Sequence, residues 1–283
     1  MKNILSIDLE DWYHPEYVRS NIDKKIDFVN ESIEITFDIL KDYDIKATFF
    51  IVGEIAEKHP HILNKIKKNN CEIAFHGYHH RPLWNINSSI LYKEIYKFNK
   101  IVKRVVNEKC IGFRAPSYSL NQETAWALKV LQECKFKYDS SIFPIKTPLY
   151  GISNAPFTPY YPSFNNIMIR SSKREILEFP ALILKTLFLK IPTAGGFYLR
   201  TLPFSFFKKA IFNMNKKGYP AVISIHPWEL NNNTPRIKLG FIKSFVTYHN
   251  KDKTYTKIKK LFDNYTFTSF KMILENNSLH INN

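Results

Sequence analysis

Two histidines four residues apart, His76 and His80, are the residues with the clearest chemical potential in this sequence, and they follow the apolar segment 71–75. If the chain forms a helical turn there, both imidazoles lie on one face and can bind the same cation. On such a turn His79 would point about 100° away from His80, which makes it the weaker ligand candidate. Surface helices also produce this spacing by chance, so a metal site needs further ligands elsewhere in the chain.

A cluster of acidic residues near the N-terminus could supply them, because Asp8, Glu10 and Asp11 follow the short apolar segment 4–7. Two histidines and one carboxylate are a known ligand set for catalytic Zn²⁺, which keeps an open position for water. A second carboxylate nearby can then take a proton from water that the metal has made more acidic. Acidic residues after a strand also serve as helix N-caps or lie in solvated turns, so the cluster alone does not establish a site.

Two further polar residues, Arg114 and His226, each follow a predicted strand. A buried arginine needs a carboxylate partner, and Pro116 leaves the following amide, that of Ser117, free to stabilise a developing oxyanion. His226 precedes Trp228, an arrangement suited to a general acid beside an aromatic wall for a sugar. The simpler alternatives are a structural ion pair and a satisfied core histidine.

The elements that must position these residues alternate along the chain. Predicted strands cover residues 4–8, 46–52, 71–75, 110–114, 135–138 and 221–225. Predicted helices cover residues 22–43, 55–69, 88–106 and 121–134, and a last helix begins at 257–261. Such alternation indicates βα units around a parallel sheet, whose functional residues gather at the carboxyl ends of the strands. The residues at or just past a predicted strand end are Asp8, His76, Arg114, Asp139 and His226.

Length and composition set the broad class. The 283 residues include 45% hydrophobic and 15% aromatic residues, which excludes a disordered chain. No repeat or domain boundary stands out, so residues 1–283 are predicted to form one domain, with an insertion-like loop and apolar segment over 145–220. The net charge of +16 favours anionic partners or a membrane face, although lysine enrichment without function explains it equally simply.

The redox and targeting features predict a cytoplasmic protein, which could also lie peripherally at the inner leaflet. Cys71, Cys110 and Cys134 show no paired spacing and suit small core residues in a reducing compartment. The N-terminus runs directly into the first strand, leaving no room for a cleavable signal peptide. No basic stripe with interleaved aromatic residues indicates nucleic-acid binding.

In their order along the chain, these motifs resemble the polysaccharide deacetylase family, the NodB-homology domain of carbohydrate esterase family 4. The similarity runs from residue 5 to about residue 228. It rests on Ser6-Ile7-Asp8, Ala47-Thr48-Phe49-Phe50, His76-x3-His80, Arg114-x-Pro116 and Ile225-His226. The residues around Asp8 and His226 are similar to the branch found at bacterial exopolysaccharide and surface-glycan loci.

The resemblance implies a distorted (β/α)7-type barrel that removes N-acetyl groups from a sugar of a bacterial poly- or oligosaccharide. It implies a divalent metal, Zn²⁺ first among the candidates, held by Glu10, His76 and His80. Asp8 would be the catalytic base, oriented by Arg114, and His226 the acid that protonates the leaving amine. The Ser117 amide would bind the oxyanion.

The sequence departs from the family pattern at three places. Leu9 stands where the family has the carboxylate ligand, so Glu10 or Asp11 must replace it. Other branches of the family space these carboxylates one residue apart, which favours Glu10, and a continuing strand would turn Glu10 to the same side as Asp8. Ser117 stands where the family carries an aromatic residue. The aspartate that supports the acid histidine is not evident, and Asp139 is the candidate for it.

Alternatives remain open at this point. The same chemistry could remove a formyl group, or act on a lipid-linked or small saccharide. A catalytically silent glycan- or membrane-binding module would have no need of Asp8 and His226. The apolar segment 179–212, which contains several lysines, could contact a membrane or a lipid-linked glycan, or could simply fill the core.

Overall fold

A curved parallel sheet forms the centre of the computed structural model, which describes residues 1–22, 25–276 and 281. The strands are β1 (Asn3–Leu9), β2 (Thr48–Ile51), β3 (Glu72–Phe75), β4 (Gly112–Phe113), β5 (Tyr138–Asp139), β6 (Pro162–Ser163), β7 (Asn166–Arg170), β8 (Leu177–Glu178), β9 (Ile183–Lys185), β10 (Lys190–Pro192), β11 (Val222–Ile225) and β12 (Phe267–Thr268). The helices are α1 (Glu16–Arg19), α2 (Val29–Asp42), α3 (Gly53–Lys58), α4 (Pro60–Lys68), α5 (Ser88–Val106), α6 (Trp126–Glu133), α7 (Gly196–Thr201), α8 (Phe204–Lys216), α9 (Pro227–Leu230), α10 (Phe241–Tyr248), α11 (Thr254–Asn264) and α12 (Phe270–Glu275).

The sheet confirms the predicted α/β class. Its strands follow the order β11-β1-β2-β3-β4-β5-β8, with β12 added beside β1, and every pair in it is parallel. Within the described chain the path ends at β11 and β8, so the sheet is a curled half-barrel rather than a closed ring. Two antiparallel hairpins, β6–β7 and β9–β10, lie outside it.

The inner face of the curled sheet has two layers along the strand direction. Ile4, Phe50, Tyr138 and Val222 form a buried apolar layer with Phe270 of α12. Ser6 and Asp8 are the alternate residues that follow Ile4 along β1, so their side chains point to the same face as that of Ile4. This part of the face is polar. The apolar layer therefore closes the lower part of the sheet, and the polar layer faces a cavity at the carboxyl ends of the strands.

Several element boundaries differ from prediction. The helix predicted over 55–69 is two helices, since the chain turns at His59 and Pro60 begins α4. The strand predicted over 135–138 starts only at Tyr138, because Lys135 adopts φ +66° in a turn. Helix α6 starts at Trp126 rather than 121, and β12 and α12 were not predicted. In the helix predicted over 22–43, residues 23 and 24 lie outside the described residues, and α2 begins at Val29.

The segment 145–220 begins with the expected loop, which has no helix or strand before Pro162, and continues with β6 to β10, α7 and α8. Its apolar part is mixed in burial: Phe179 and Leu182 are buried, whereas Leu187 and Phe188 are exposed. The alternative that 179–212 fills the core therefore holds at Phe179 and Leu182, and it fails at the β9–β10 turn and at Phe212, which is 62% exposed.

Across the described parts of the chain, we find no helix with both the length and the apolar character needed to cross a membrane.

Gly195 marks the tightest backbone approach beside the site. Its φ is +131°, and a Cβ placed there would lie 1.8 Å from the carbonyl oxygen of Ser224 in β11. We expect Gly195→Ala to destabilise the protein by about 3 kcal/mol or more, since strain and overpacking each cost about 1–3 kcal/mol. Thermal unfolding measures this effect, and Gly240→Ala is the control because a Cβ there meets no atom within 4 Å. Equal unfolding temperatures for the two variants would contradict this packing.

Candidate active site

The predicted site residues meet in one cavity at the carboxyl ends of the strands. Asp8 and Glu10 come from the end of β1, His76 and His80 from the loop after β3, Arg114 from the end of β4 and His226 from the end of β11. All six line the same cavity. Residues separated by more than 200 positions therefore lie together because parallel strands place their carboxyl ends at one edge.

Glu10, His76 and His80 form a buried cluster whose ligand atoms all lie within 4.8 Å of one another. Glu10 Oε2 is 2.7 Å from His80 Nε2, and the two imidazole rings have centroids 5.0 Å apart. Burial alone would raise the pKa of Glu10, but the neighbouring His80, with smaller effects from His226 and His76, lowers it well below its usual value. Glu10 is therefore a carboxylate.

The hydrogen bond and the neutral state of His76 fit a divalent cation. His76 Nδ1 donates to the carbonyl oxygen of Arg114 at 2.8 Å, which leaves Nε2 as the lone-pair nitrogen facing the cluster. Burial lowers the pKa of His76 to about 4, so it is neutral, as a ligand must be. Glu10 supplies the oxygen donor, and two nitrogens with one oxygen suit Zn²⁺.

The loop carrying the histidines is not helical, which corrects the geometry on which the spacing argument rested. Gly77 has φ +71° and His80 has φ +50°, and Glu94 accepts from the amide of Tyr78. The loop still brings both imidazoles into one cluster. His79 points outward, where its Nδ1 lies 2.9 Å from Glu54.

Asp11 is not placed with the ligands. Its carboxylate accepts hydrogen bonds from the amides of Trp12, Phe28 and Val29, the last two at the start of α2. Burial raises the pKa of Asp11 to about 6. Asp11 therefore fixes the start of α2. Its side chain points away from that of Glu10, as adjacent residues at the end of a strand are expected to do.

Asp8 is held by Arg114, whose Nη1 donates to Asp8 Oδ1 at 2.6 Å. The guanidinium also donates to Ser6 and Ser224 and to the carbonyl oxygen of Ser140, so its position is fixed from several strands. The other carboxylate oxygen of Asp8 lies 3.8 Å from His226 Nε2. Asp8 thus has one oxygen committed to Arg114 and one facing the cavity.

The partner of His226 is Glu229, not Asp139. His226 Nδ1 lies 3.0 Å from Glu229 Oε2, and Arg200 Nε lies 3.0 Å from the other oxygen of Glu229. Asp139 is instead hydrogen-bonded by Ser141, and burial raises its pKa to about 6. Burial alone would lower the pKa of His226, but Glu229, then Glu10 and Asp8, raise it to about 9.

Glu229 was missed although its spacing from His226 is visible in the sequence. Pro227 starts the short helix α9, so residues 226 and 229 lie on one face of its first turn. Arg200, from α7, carries no comparable signal because only the tertiary fold brings it to Glu229.

We expect Glu229→Gln to lower the rate by about 10-fold or more, because the charge that orients and protonates His226 is lost. Asp139→Asn is the control and should change the rate far less. Steady-state rates at equal metal content and equal unfolding temperature separate catalysis from folding. A larger loss for Asp139→Asn than for Glu229→Gln would restore the original assignment.

Ser117 and Trp228 differ in how well they match their predicted roles. Ser117 has φ +56° and lines the cavity, and its amide has no hydrogen-bond acceptor in the described part of the chain. Trp228 also lines the cavity, but it is only 4% exposed and its Nε1 donates to Glu10 at 3.3 Å. The predicted stacking wall is therefore wrong, since the indole is packed against the site and holds Glu10.

His14 is a further buried histidine beside the cluster. Its Nε2 lies 2.8 Å from Glu54 and its ring 5.7 Å from that of His80. Its Nδ1 accepts from the amide of Asp11, so its ring nitrogens are both engaged outside the cluster.

The remaining wall of the cavity comes from the second half of the chain and is aromatic and tightly packed. It includes Phe143, Leu149, Tyr150, Ala194, Phe197 and Tyr198. None of these residues was predicted, because an apolar residue carries no sequence signal that separates a cavity wall from the core.

Comparisons with known proteins agree with this geometry. Residues 18–138 match the polysaccharide deacetylase family model, and residues 140–275 match a domain of unknown function, DUF3473. A peptidoglycan-N-acetylglucosamine deacetylase of Bacillus cereus is 35% identical over 92 residues, which cover 32% of this chain and 33% of the relative. A peptidoglycan deacetylase-like protein of Gibberella zeae is 29% identical over 109 residues, covering 38% and 31%. The chain thus matches about a third of the length of these curated relatives.

Among solved structures, a Mycobacterium smegmatis protein classed as a polysaccharide deacetylase superposes with a TM-score of 0.58 at 18% identity. The alignment covers 97% of this chain and 90% of that one. At this identity the similarity concerns the fold. Residues 18–138 of this chain therefore resemble the polysaccharide deacetylase family.

Proposed function

We propose that this protein is a metal-dependent carbohydrate N-deacetylase, which hydrolyses the N-acetyl group of a sugar in a bacterial poly- or oligosaccharide. The observation that carries the proposal is the meeting of a Glu10–His76–His80 cluster with Asp8 and His226 in one cavity. A base and an acid beside a candidate metal site are what amide hydrolysis requires.

Glu10, His76 and His80 would hold the metal, with Zn²⁺ the first candidate. When bound, the metal supplies a Lewis acid that polarises the acetyl carbonyl and makes water more acidic. Asp8 accepts the proton of the attacking water on the oxygen that faces the cavity. Arg114 keeps the other oxygen occupied and so fixes the direction of the free one.

The later steps use Ser117 and His226, which line the same cavity. The Ser117 amide donates to the carbonyl oxygen as negative charge develops on it. His226 then gives its proton to the nitrogen of the departing amine, which leaves as the free amino sugar with release of acetate. Glu229 orients His226 and keeps it protonated until this step, and Arg200 fixes Glu229.

We infer the chemical class of the substrate, and not the particular glycan. The family and the relatives act on N-acetylated glycans, and we extend this to a surface or exported polysaccharide of the exopolysaccharide type. A cytoplasmic location, with a lipid-linked saccharide as substrate, is part of the same proposal. Removal of a formyl group is the closest variant, because the same residues would perform it.

Acetate release from a panel of N-acetylated oligosaccharides, with and without a chelator, tests the proposal. We expect release that the chelator abolishes and that added Zn²⁺ restores. Formate from N-formyl sugars, without acetate, would move the activity to deformylation. Saturable glycan binding with neither product, at full metal occupancy, would show a silent binding module instead.

A further inference from the structure

The turn of the β9–β10 hairpin exposes three large apolar side chains in a row. Leu187, Phe188 and Leu189 are 95%, 92% and 64% exposed. The turn itself is well formed, because the amide of Thr186 donates to the carbonyl oxygen of Leu189 at 2.8 Å. Exposure of consecutive Leu and Phe side chains to water is unfavourable in free energy, unless a membrane or a binding partner covers them.

The base of this hairpin is anchored in the core. Ile183 and Leu184 of β9 are buried, and β10 pairs with β9 in antiparallel register. The hairpin also packs on α8. The tip is therefore held at a fixed position, and its exposure is a property of the fold.

Lysines surround the apolar tip. Lys185 and Lys190 flank it in sequence, and Lys209, Lys216 and Lys217 approach it from α8 and its C-terminal end. Within the described chain, the residues that line the groove beside the tip include four of these lysines and no acidic residue. This charge complements an anionic surface.

The tip lies away from the catalytic cavity. The end of α8 leads into β11 at the amino end of that strand, whereas His226 follows its carboxyl end. The tip can therefore bind a partner without covering the cavity.

We propose that the β9–β10 tip inserts into an anionic lipid bilayer. The lysines around it (Lys185, Lys190, Lys209, Lys216 and Lys217) would contact the lipid headgroups. Apolar side chains that enter the interface and lysines that stay at headgroup level are the two contributions known for peripheral anchors. A polysaccharide long enough to reach around the protein, and made at a membrane, could then meet the cavity on the opposite side. That consequence rests on the proposed function, whereas lipid binding does not.

Sedimentation of the full chain with vesicles of phosphatidylcholine and phosphatidylglycerol tests the inference. We expect binding at low salt, a decrease at high salt, and at least tenfold weaker binding to phosphatidylcholine alone. Leu187→Ser/Phe188→Ser should weaken binding at least tenfold, and each of Lys209→Gln and Lys216→Gln about fivefold.

The matched control is Phe241→Ser/Ile242→Ser on α10, where the two side chains are 87% and 73% exposed at another place. This variant should bind vesicles as the unchanged protein does. Tryptophan in Phe188→Trp should be quenched by brominated acyl chains, and in Ile242→Trp it should not.

Three results would overturn the inference. The first is no vesicle binding at low salt, and the second is an equal loss of vesicle binding in the tip and α10 variants. The third is a dimer that does not bind vesicles and that the tip substitutions convert to a monomer. Deacetylation of soluble oligosaccharides should be unchanged in the tip variant. A failure of lipid binding is thus distinguishable from a failure of the proposed activity.

Discussion

Replacement of His76 or His80 by alanine is expected to remove most of the bound divalent metal and with it the deacetylase activity. Each substitution deletes one of three protein ligands, and loss of a mere supporting residue around a metal already costs about 10–100-fold in affinity or activity. Metal content per chain, measured after dialysis against a weak chelator, is the direct readout. Activity should fall by at least the same factor.

His79→Ala is the matched control for this experiment. The residue is adjacent to His80, of the same type, and points outward to Glu54. Metal content should therefore be unchanged in it. Full occupancy in both His76→Ala and His80→Ala, or an equal loss in His79→Ala, would contradict the assignment of the cluster.

Asp8→Asn and His226→Ala are expected to lower turnover by about 10²–10⁴-fold while the metal stays bound, because both residues would transfer protons rather than hold the cation. Asp8→Asn also removes the charge opposite the buried Arg114, and breaking such a pair can cost about 3–5 kcal/mol. The unfolding temperature must therefore be measured beside the rate. Rates are compared only at temperatures where each variant is folded.

Asp38→Asn and His61→Ala serve as surface controls of the same chemical change. Both residues are exposed, and neither lines the cavity. Their rates should equal that of the unchanged protein. Near-normal turnover in Asp8→Asn and His226→Ala would refute the proton-transfer roles even if the metal site stands.

The site is shared between the two parts of the chain that match different family models. The part over 18–138 contributes His76, His80 and Arg114, and the part over 140–275 contributes His226 and Glu229. β5, at the end of the first part, pairs with β8 of the second, and β11 of the second part pairs with β1, which precedes both parts and carries Asp8. The part that matches a domain of unknown function thus contains His226, the proposed general acid, and its partner Glu229.

The sequence alone identified most of the chemistry. Asp8, Glu10, His76, Arg114 and His226 were chosen from residue type and position after predicted strands, and the structure brings all five into one cavity. This succeeds because alternating apolar segments reveal strands, and parallel strands place their carboxyl ends together. The choice of Glu10 over Asp11 rested on the carboxylate spacing in other branches of the resembling family, and the structure places Glu10, just past the end of β1, in the cluster.

Only the tertiary structure decided which groups support these residues. Asp139 follows a strand and looked suitable, yet Glu229 contacts His226 and Arg200 holds Glu229, because the direction of a side chain depends on packing that no local pattern records. The apolar segment 179–212 shows the same limit: Phe179 is buried and Phe188 is exposed, although both are phenylalanines in one hydrophobic stretch. Hydrophobicity predicts only that transfer of a side chain out of water is favourable. Whether the protein buries that side chain depends on the position of the β9–β10 turn in the fold.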